Sequence, residues 1–247
     1  MIYIAPLFFL TALVYATVGF GGGSTYLALL VLFNFPYESM PKVALLCNVI
    51  VVCGGLYHYI RAGDFSMRQV LPFVLSSVPM AYLGGKVPIE KKLFLVLLAV
   101  SLGIAGLRLL WIQKDFTSRE KISWQTAWFV GLPVGGVLGF VSGLVGIGGG
   151  IFLSPLFYLL GWGQGRQIAA SASFFILVNS LAGLLGQWSK AGVALDLPVL
   201  LPLSFAVLVG GQIGSRWSVG VLSLSALQRI TALLILFVAG KILWGFL

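Results

Sequence analysis

Charge is what this chain has least of. Only 9% of its 247 residues are Asp, Glu, Lys or Arg, against about 25% in a soluble domain. Hydrophobic residues reach 60%, and mean hydropathy is +1.07. A soluble fold of this size cannot hide that much apolar surface, so the composition reads as a polytopic membrane protein. Glu38, Asp64, Glu90, Asp115, Glu120 and Asp196 are the whole acidic complement, and each falls in or beside a break between apolar runs. No carboxylate is therefore expected at mid-membrane, where cation carriers and proton pumps keep one. Histidine occurs once, as His58 near a helix end, where it reads as interfacial. The two cysteines, Cys47 and Cys53, are six apart in one apolar run and do not share a helix face. That spacing indicates neither a disulfide nor a metal site. HExxH and GxSxG are both missing, so no signature of an intramembrane enzyme is present. No basic tract suggests nucleic acid, and no cofactor is called for.

What the chain does have is a series of apolar blocks: 2–33, 41–60, 68–85, 91–112, 124–160, 167–188, 195–215 and 222–245. About 20 apolar residues span a bilayer as a helix. The expected fold is all-α and polytopic, with about eight helical elements and short loops. The first run lacks a basic leader segment and continues straight into glycines, so it does not read as a cleaved signal peptide. Lys and Arg number 15 against 6 acidic residues, a formal net charge of +9. If all eight elements cross, the cations in loops and at helix ends fall seven on one side and seven on the other and give no orientation.

One segment is written twice. Val18-Gly19-Phe20-Gly21-Gly22-Gly23 recurs as Val145-Gly146-Ile147-Gly148-Gly149-Gly150. Further matches follow: Leu71-Pro72-Phe73 with Leu201-Pro202-Leu203, Gly84-Gly85-Lys86 with Gly214-Ser215-Arg216, and His58 with Gln187. The chain thus divides into two pseudo-symmetric four-element halves, 1–112 and 124–247, joined by a polar linker at 113–123. So many glycines hold a helix poorly, and the first element of each half is expected to break there. A break exposes backbone polar groups that lipid cannot satisfy, so it must be buried in protein or line a polar cavity. Residues 2–18 would make a helix of about 25 Å and residues 24–33 one of about 15 Å, together longer than a core of about 30 Å. Either the element tilts strongly and the halves are parallel, or it folds back as a hairpin and they are inverted. The summed length favours the hairpin.

The helix after each break begins with unpaired N–H groups and the positive end of its dipole. Two such ends converging would hold an anion without a buried cation. The candidate binding residues are Gly21, Gly22, Gly23, Ser24 and Thr25 in the first half and Gly148, Gly149 and Gly150 in the second. Asn48, Ser171 and Ser173 join them, because Asn48 and Ser173 occupy matched positions in the following helices. Lys42 and Arg166 stand just ahead of those helices and are candidates to steer an anion inward. Lys86 and Arg216 read as interfacial anchors. The plainer alternatives are close helix packing for the glycines, interhelical hydrogen bonds for the polar residues and snorkelling for the cations.

Duplicated halves opening with VG-x-GGG resemble the TauE/SafE family of sulfite exporters and related permeases. The most specific stretch is Gly146 to Pro155, GIGGGIFLSP, and Ser171-Ala172-Ser173 is close to the small Thr/Ser pair of the family. The first half departs from it, with Ala28 in place of Pro155 and Leu46-Cys47-Asn48 in place of the serine pair. The resemblance implies an integral protein of a bacterial inner membrane, not an enzyme. It would move a small inorganic or organosulfur anion such as sulfite, a sulfonate or thiosulfate, by alternating access. An anion channel with the same pore is the alternative. The partners expected are that anion and membrane lipid, with oligomeric state open.

Overall fold

The computed structural model describes residues 2–111, 124–160, 162–163, 165–190, 197–216 and 224–245. The linker expected at 113–123 lies outside them. The described residues form ten α-helices: α1 (Ala5–Ala16), α2 (Gly23–Leu32), α3 (Met40–Arg61), α4 (Met67–Lys86), α5 (Lys91–Trp111), α6 (Trp124–Val145), α7 (Gly150–Leu159), α8 (Gly165–Trp188), α9 (Leu197–Arg216) and α10 (Leu224–Trp244). No strand occurs among them. Four of these helices, α3, α6, α8 and α9, are long and apolar enough to cross a membrane.

The chain leaves helical geometry between α1 and α2 and again between α6 and α7. Residues Gly19 and Gly22 take positive φ in the first gap, and Gly146, Gly148 and Gly149 do so in the second. Side chains with a Cβ reach that region only at a cost. Beyond the first gap the chain doubles back. Phe8 stacks on Tyr26 at 4.7 Å, Tyr3 meets Phe33 at 6.1 Å, and the Tyr15 hydroxyl lies 2.9 Å from that of Thr25. Helices α1 and α2 are therefore the arms of a hairpin.

Small residues decide which helices meet. Gly131, Gly135, Gly139 and Gly143 form one stripe along α6 and rest against Pro72, Phe73, Ser77 and Ala81 in turn, so α6 runs parallel to α4. On α9, Gly210 and Gly214 rest in the same way against Phe9 and Leu13 of α1. Helices α4 and α8 also run parallel, with Phe65, just before α4, against Phe174 in the first half of α8 at 5.0 Å and Gly85 against Gly183 nearer their ends. Between helices in lipid there is little hydrophobic drive, and close backbone approach supplies the attraction instead. Helix α3 packs on α8 and α9, and α5 pairs with α10. The buried centre holds Tyr26, Leu27, Leu30, Val43, Ala44 and Cys47 with Val145 and Ile147.

Candidate functional site

Asn48 is the centre of the arrangement. It is fully buried midway along α3. Its Nδ2 donates to the Ile147 carbonyl at 3.1 Å, in the second glycine gap. A Cβ at Gly148 would lie 2.6 Å from that same nitrogen, and a Cβ at Gly21 would overlap the other side of the amide. One side chain thus fills the space between both gaps. Its Oδ1 is buried and has no hydrogen-bond partner, and the cost of such an orphan is about 1–3 kcal/mol.

Ser173 makes the reciprocal contact. It is fully buried on α8, and its Oγ donates 2.5 Å to the Gly19 carbonyl in the first gap. The α3 amide therefore reaches the second gap while the α8 hydroxyl reaches the first. The two gaps also meet α3 at different heights. Gly19 lies against Tyr59 near the end of α3, whereas Gly146 lies against Pro41 at its start.

The gaps leave donors free. Among the described residues, no backbone carbonyl accepts from the N–H groups of Gly21, Gly22, Gly23 and Ser24, or from those of Gly148, Gly149, Gly150 and Ile151. All eight residues are buried, and they include the N-terminal turns of α2 and α7, where the helix dipole is positive. Polar side chains lie close by. Ser24 is buried, and the Thr25 hydroxyl meets that of Tyr15. The hydroxyls of Ser180, Ser142 and Tyr26, whose side chains stand against gap glycines, are buried without a hydrogen-bond partner, as is that of Ser171 elsewhere on α8. Ser180 sits over Gly148. It lies two helical turns beyond Ser173 and so on nearly the same face of α8. That spacing was available in the sequence as a signal for a residue otherwise passed over. Tyr59 and Tyr26 carried no such signal, since an aromatic hydroxyl in an apolar run reads as core.

The two candidate steering cations part company. Lys42 is 2% exposed and lines a cavity of about 390 Å³ at the start of α3. Lys86 and Lys190 line the same space, so Lys86 is more than an anchor. Arg166 is 73% exposed and forms an ion pair with Asp64 at 2.9 Å, away from that cavity. A second cavity, of about 320 Å³, opens beside His58, Gln212 and Arg216 near the end of α3. From Lys42 to His58 is 16 residues of helix, on the order of 24 Å. Neither cavity is lined by Asn48 or by the glycines of the gaps.

Set beside known proteins, the chain matches the family described as Sulfite exporter TauE/SafE over residues 4–242. A relative from Sinorhizobium fredii, described as probable membrane transporter protein y4hK, is 32% identical over 252 residues, which is 98% of this chain and 97% of the relative. The chain belongs to the TauE/SafE family. It is an integral membrane protein of a transporter family and not an enzyme. No solved structure matches it. Among the residues whose burial is described in this TauE/SafE chain, no Asp or Glu is buried as a whole residue, and Lys42 is a fully buried lysine.

Proposed function

We propose that this TauE/SafE protein is a secondary transporter of a bacterial inner membrane. It carries a small sulfur-containing anion, sulfite, a sulfonate or a close relative, and binds it near mid-membrane between its two glycine gaps. The observation that carries the reading is the set of buried, unaccepted N–H groups at the starts of α2 and α7, placed on both sides of Asn48. Donors of that kind suit an anion, and the buried surroundings contain no acidic group to repel it. Gly21, Gly22, Gly23, Gly148, Gly149 and Gly150 supply backbone donors. Ser24, Thr25, Asn48, Ser171 and Ser173 supply side-chain groups. Lys42 draws the anion inward, while Arg166 serves as an interfacial ion pair.

Counting each broken pair as one element, the chain has eight elements in two halves. Exchange of partners supports that division: α1 packs on α9 as α6 packs on α4, and α3 packs on α9 as α8 packs on α4. The first gap faces the end of α3 and the second its start, which favours inverted halves with hairpins rather than tilted crossings. Cavities near opposite ends of α3, with the glycine gaps and Asn48 between them, suit alternating access.

The test is counterflow of labelled sulfite in proteoliposomes. Unlabelled sulfite inside should drive saturable uptake. Asn48→Leu, of similar volume, should reduce that uptake at least tenfold while the protein still inserts and purifies. Gly22→Leu and Gly149→Leu should abolish it. Full uptake in all three variants would place the site elsewhere.

A further inference from the structure

The cavity at the start of α3 has a charge pattern that binding at the glycine gaps does not require. Lys42 comes from α3, Lys86 ends α4, and Lys190 lies just beyond α8, yet all three line one space. Glu38 is the acidic residue in its wall, so the lining carries three positive charges against one negative. Lys42 is almost wholly buried. The Lys190 ammonium is held by Gln187, donating to its Oε1 at 3.1 Å, and Gln187 is itself fixed by donating to the Gly143 carbonyl at 2.8 Å. Burial, and then the Lys42 ammonium, push the Lys190 amine down to about 8. Like charges gathered in a partly desolvated space repel, and an anion between them relieves the repulsion.

The opposite cavity is different. Its wall has Arg216 as the one fixed cation, with His58 and Gln212. The lysine cavity is separated from the second glycine gap by the thickness of one residue, since Pro41 lines it and lies directly against Gly146.

We propose that Lys42, Lys86 and Lys190 form a second anion site, a vestibule on one membrane face that takes a doubly charged oxyanion before it reaches the glycine gaps. The net charge of the lining matches two negative charges. Three cations on three separate elements can each meet a different oxygen, and their summed charge favours a dianion over a monoanion of the same shape. A lipid phosphodiester, although singly charged, offers the same kind of oxygens to the lysines as a free dianion does. The proposal deepens the carrier reading above and rests on it only for the order of events.

The experiment uses the full chain purified in neutral detergent at pH 7, titrated calorimetrically with thiosulfate, with sulfate and with the monoanion methanesulfonate. Dianions should bind more tightly. Lys190→Gln should weaken thiosulfate binding about tenfold, as loss of one partly buried charge does, the exposed Lys86→Gln about threefold, and both should leave methanesulfonate within about twofold. Phosphatidylglycerol added in mixed micelles separates the two sources. Competition with thiosulfate identifies lipid phosphate as an occupant, and lack of competition identifies the free dianion. Thiosulfate affinity unchanged in both lysine variants, with unchanged salt dependence, overturns the vestibule. Asn48→Leu should retain thiosulfate binding while losing counterflow. Failure of the lysine variants therefore leaves the carrier reading standing, and failure of Asn48→Leu leaves the vestibule standing.

Discussion

Replacing Gly148 with alanine puts one methyl group where the two glycine gaps and α3 converge. Two costs add. The residue has φ +89°, and forcing an L-residue into left-handed geometry costs about 1–2 kcal/mol. The new Cβ would also lie 2.6 Å from Asn48 Nδ2, with Ile176 at 3.2 Å and Ser180 at 3.3 Å on its other sides. The amide has to move and give up its bond to Ile147. Interhelical hydrogen bonds in membranes average about 0.6 kcal/mol and reach about 1.7, and the stranded carbonyl adds up to a few more. The total is roughly 2–5 kcal/mol, which lowers the thermal midpoint of the purified protein by roughly 5–15 °C. Gly103→Ala is the control. Nothing stands within 4 Å of its Cβ on α5, so its effect should stay within about 1 kcal/mol. The double variant Gly148→Ala with Asn48→Ala should recover part of the loss, with a coupling of at least about 1 kcal/mol. A Gly148→Ala protein that melts with wild type, or a double variant whose losses simply add, would show that Asn48 does not fill this space.

Three further outcomes are expected. Ser173→Ala removes the donor to Gly19 and strands a buried carbonyl, so the midpoint should fall by roughly 2–8 °C, read by the same thermal scan. Removing the exposed Arg166–Asp64 pair through Arg166→Gln should change stability by less than about 1 kcal/mol and leave the KM for sulfite counterflow within about twofold, whereas Lys42→Gln should raise it severalfold. Lys190 faces Lys42, Lys86, Glu38 and Tyr37 across the cavity and bonds to Gln187. Its amine sits near 8 when folded and near 10.4 when unfolded. Between those values the unfolded chain binds more protons, so ligand-free stability should rise with pH there, while thiosulfate affinity falls as the charge is lost. Thermal scans and calorimetry between pH 7 and 10 would check both directions.

Much of the fold could be read from composition, because apolar blocks this long admit little but helices in lipid. The block at 2–33 was legible as interrupted, and its length leaned toward a fold back, but the contacts that close the hairpin, Phe8 with Tyr26 and Tyr3 with Phe33, were not legible. Helical periodicity says nothing of contacts between such arms. Asn48 and Ser173 stood out because polar residues are rare in these spans and these two hold matched positions. That each reaches the other half's gap was not legible, because it follows from how α3 and α8 cross. Lys42 and Arg166 looked alike in sequence. The fold buries the first beside two lysines and leaves the second at the surface beside Asp64. Lys86 and Lys190 are over 100 residues apart, and no local pattern reports that they share a cavity.

The contact of α1 with α9 has a consequence for biosynthesis. Phe9 and Leu13 meet Gly210 and Gly214, about 200 residues later in the chain. At roughly 5–20 residues per second on the ribosome, the first hairpin waits about 10–40 s for its partner to be made. Throughout that interval the face of α1 that carries Phe9 and Leu13 sits in the bilayer without the helix that packs against it. Truncated chains ending before α9 should therefore be the forms that membrane quality-control proteases remove, and an insertase that shelters unfinished hairpins would raise the yield of this protein more than that of one whose helices pack with their nearest neighbours in sequence.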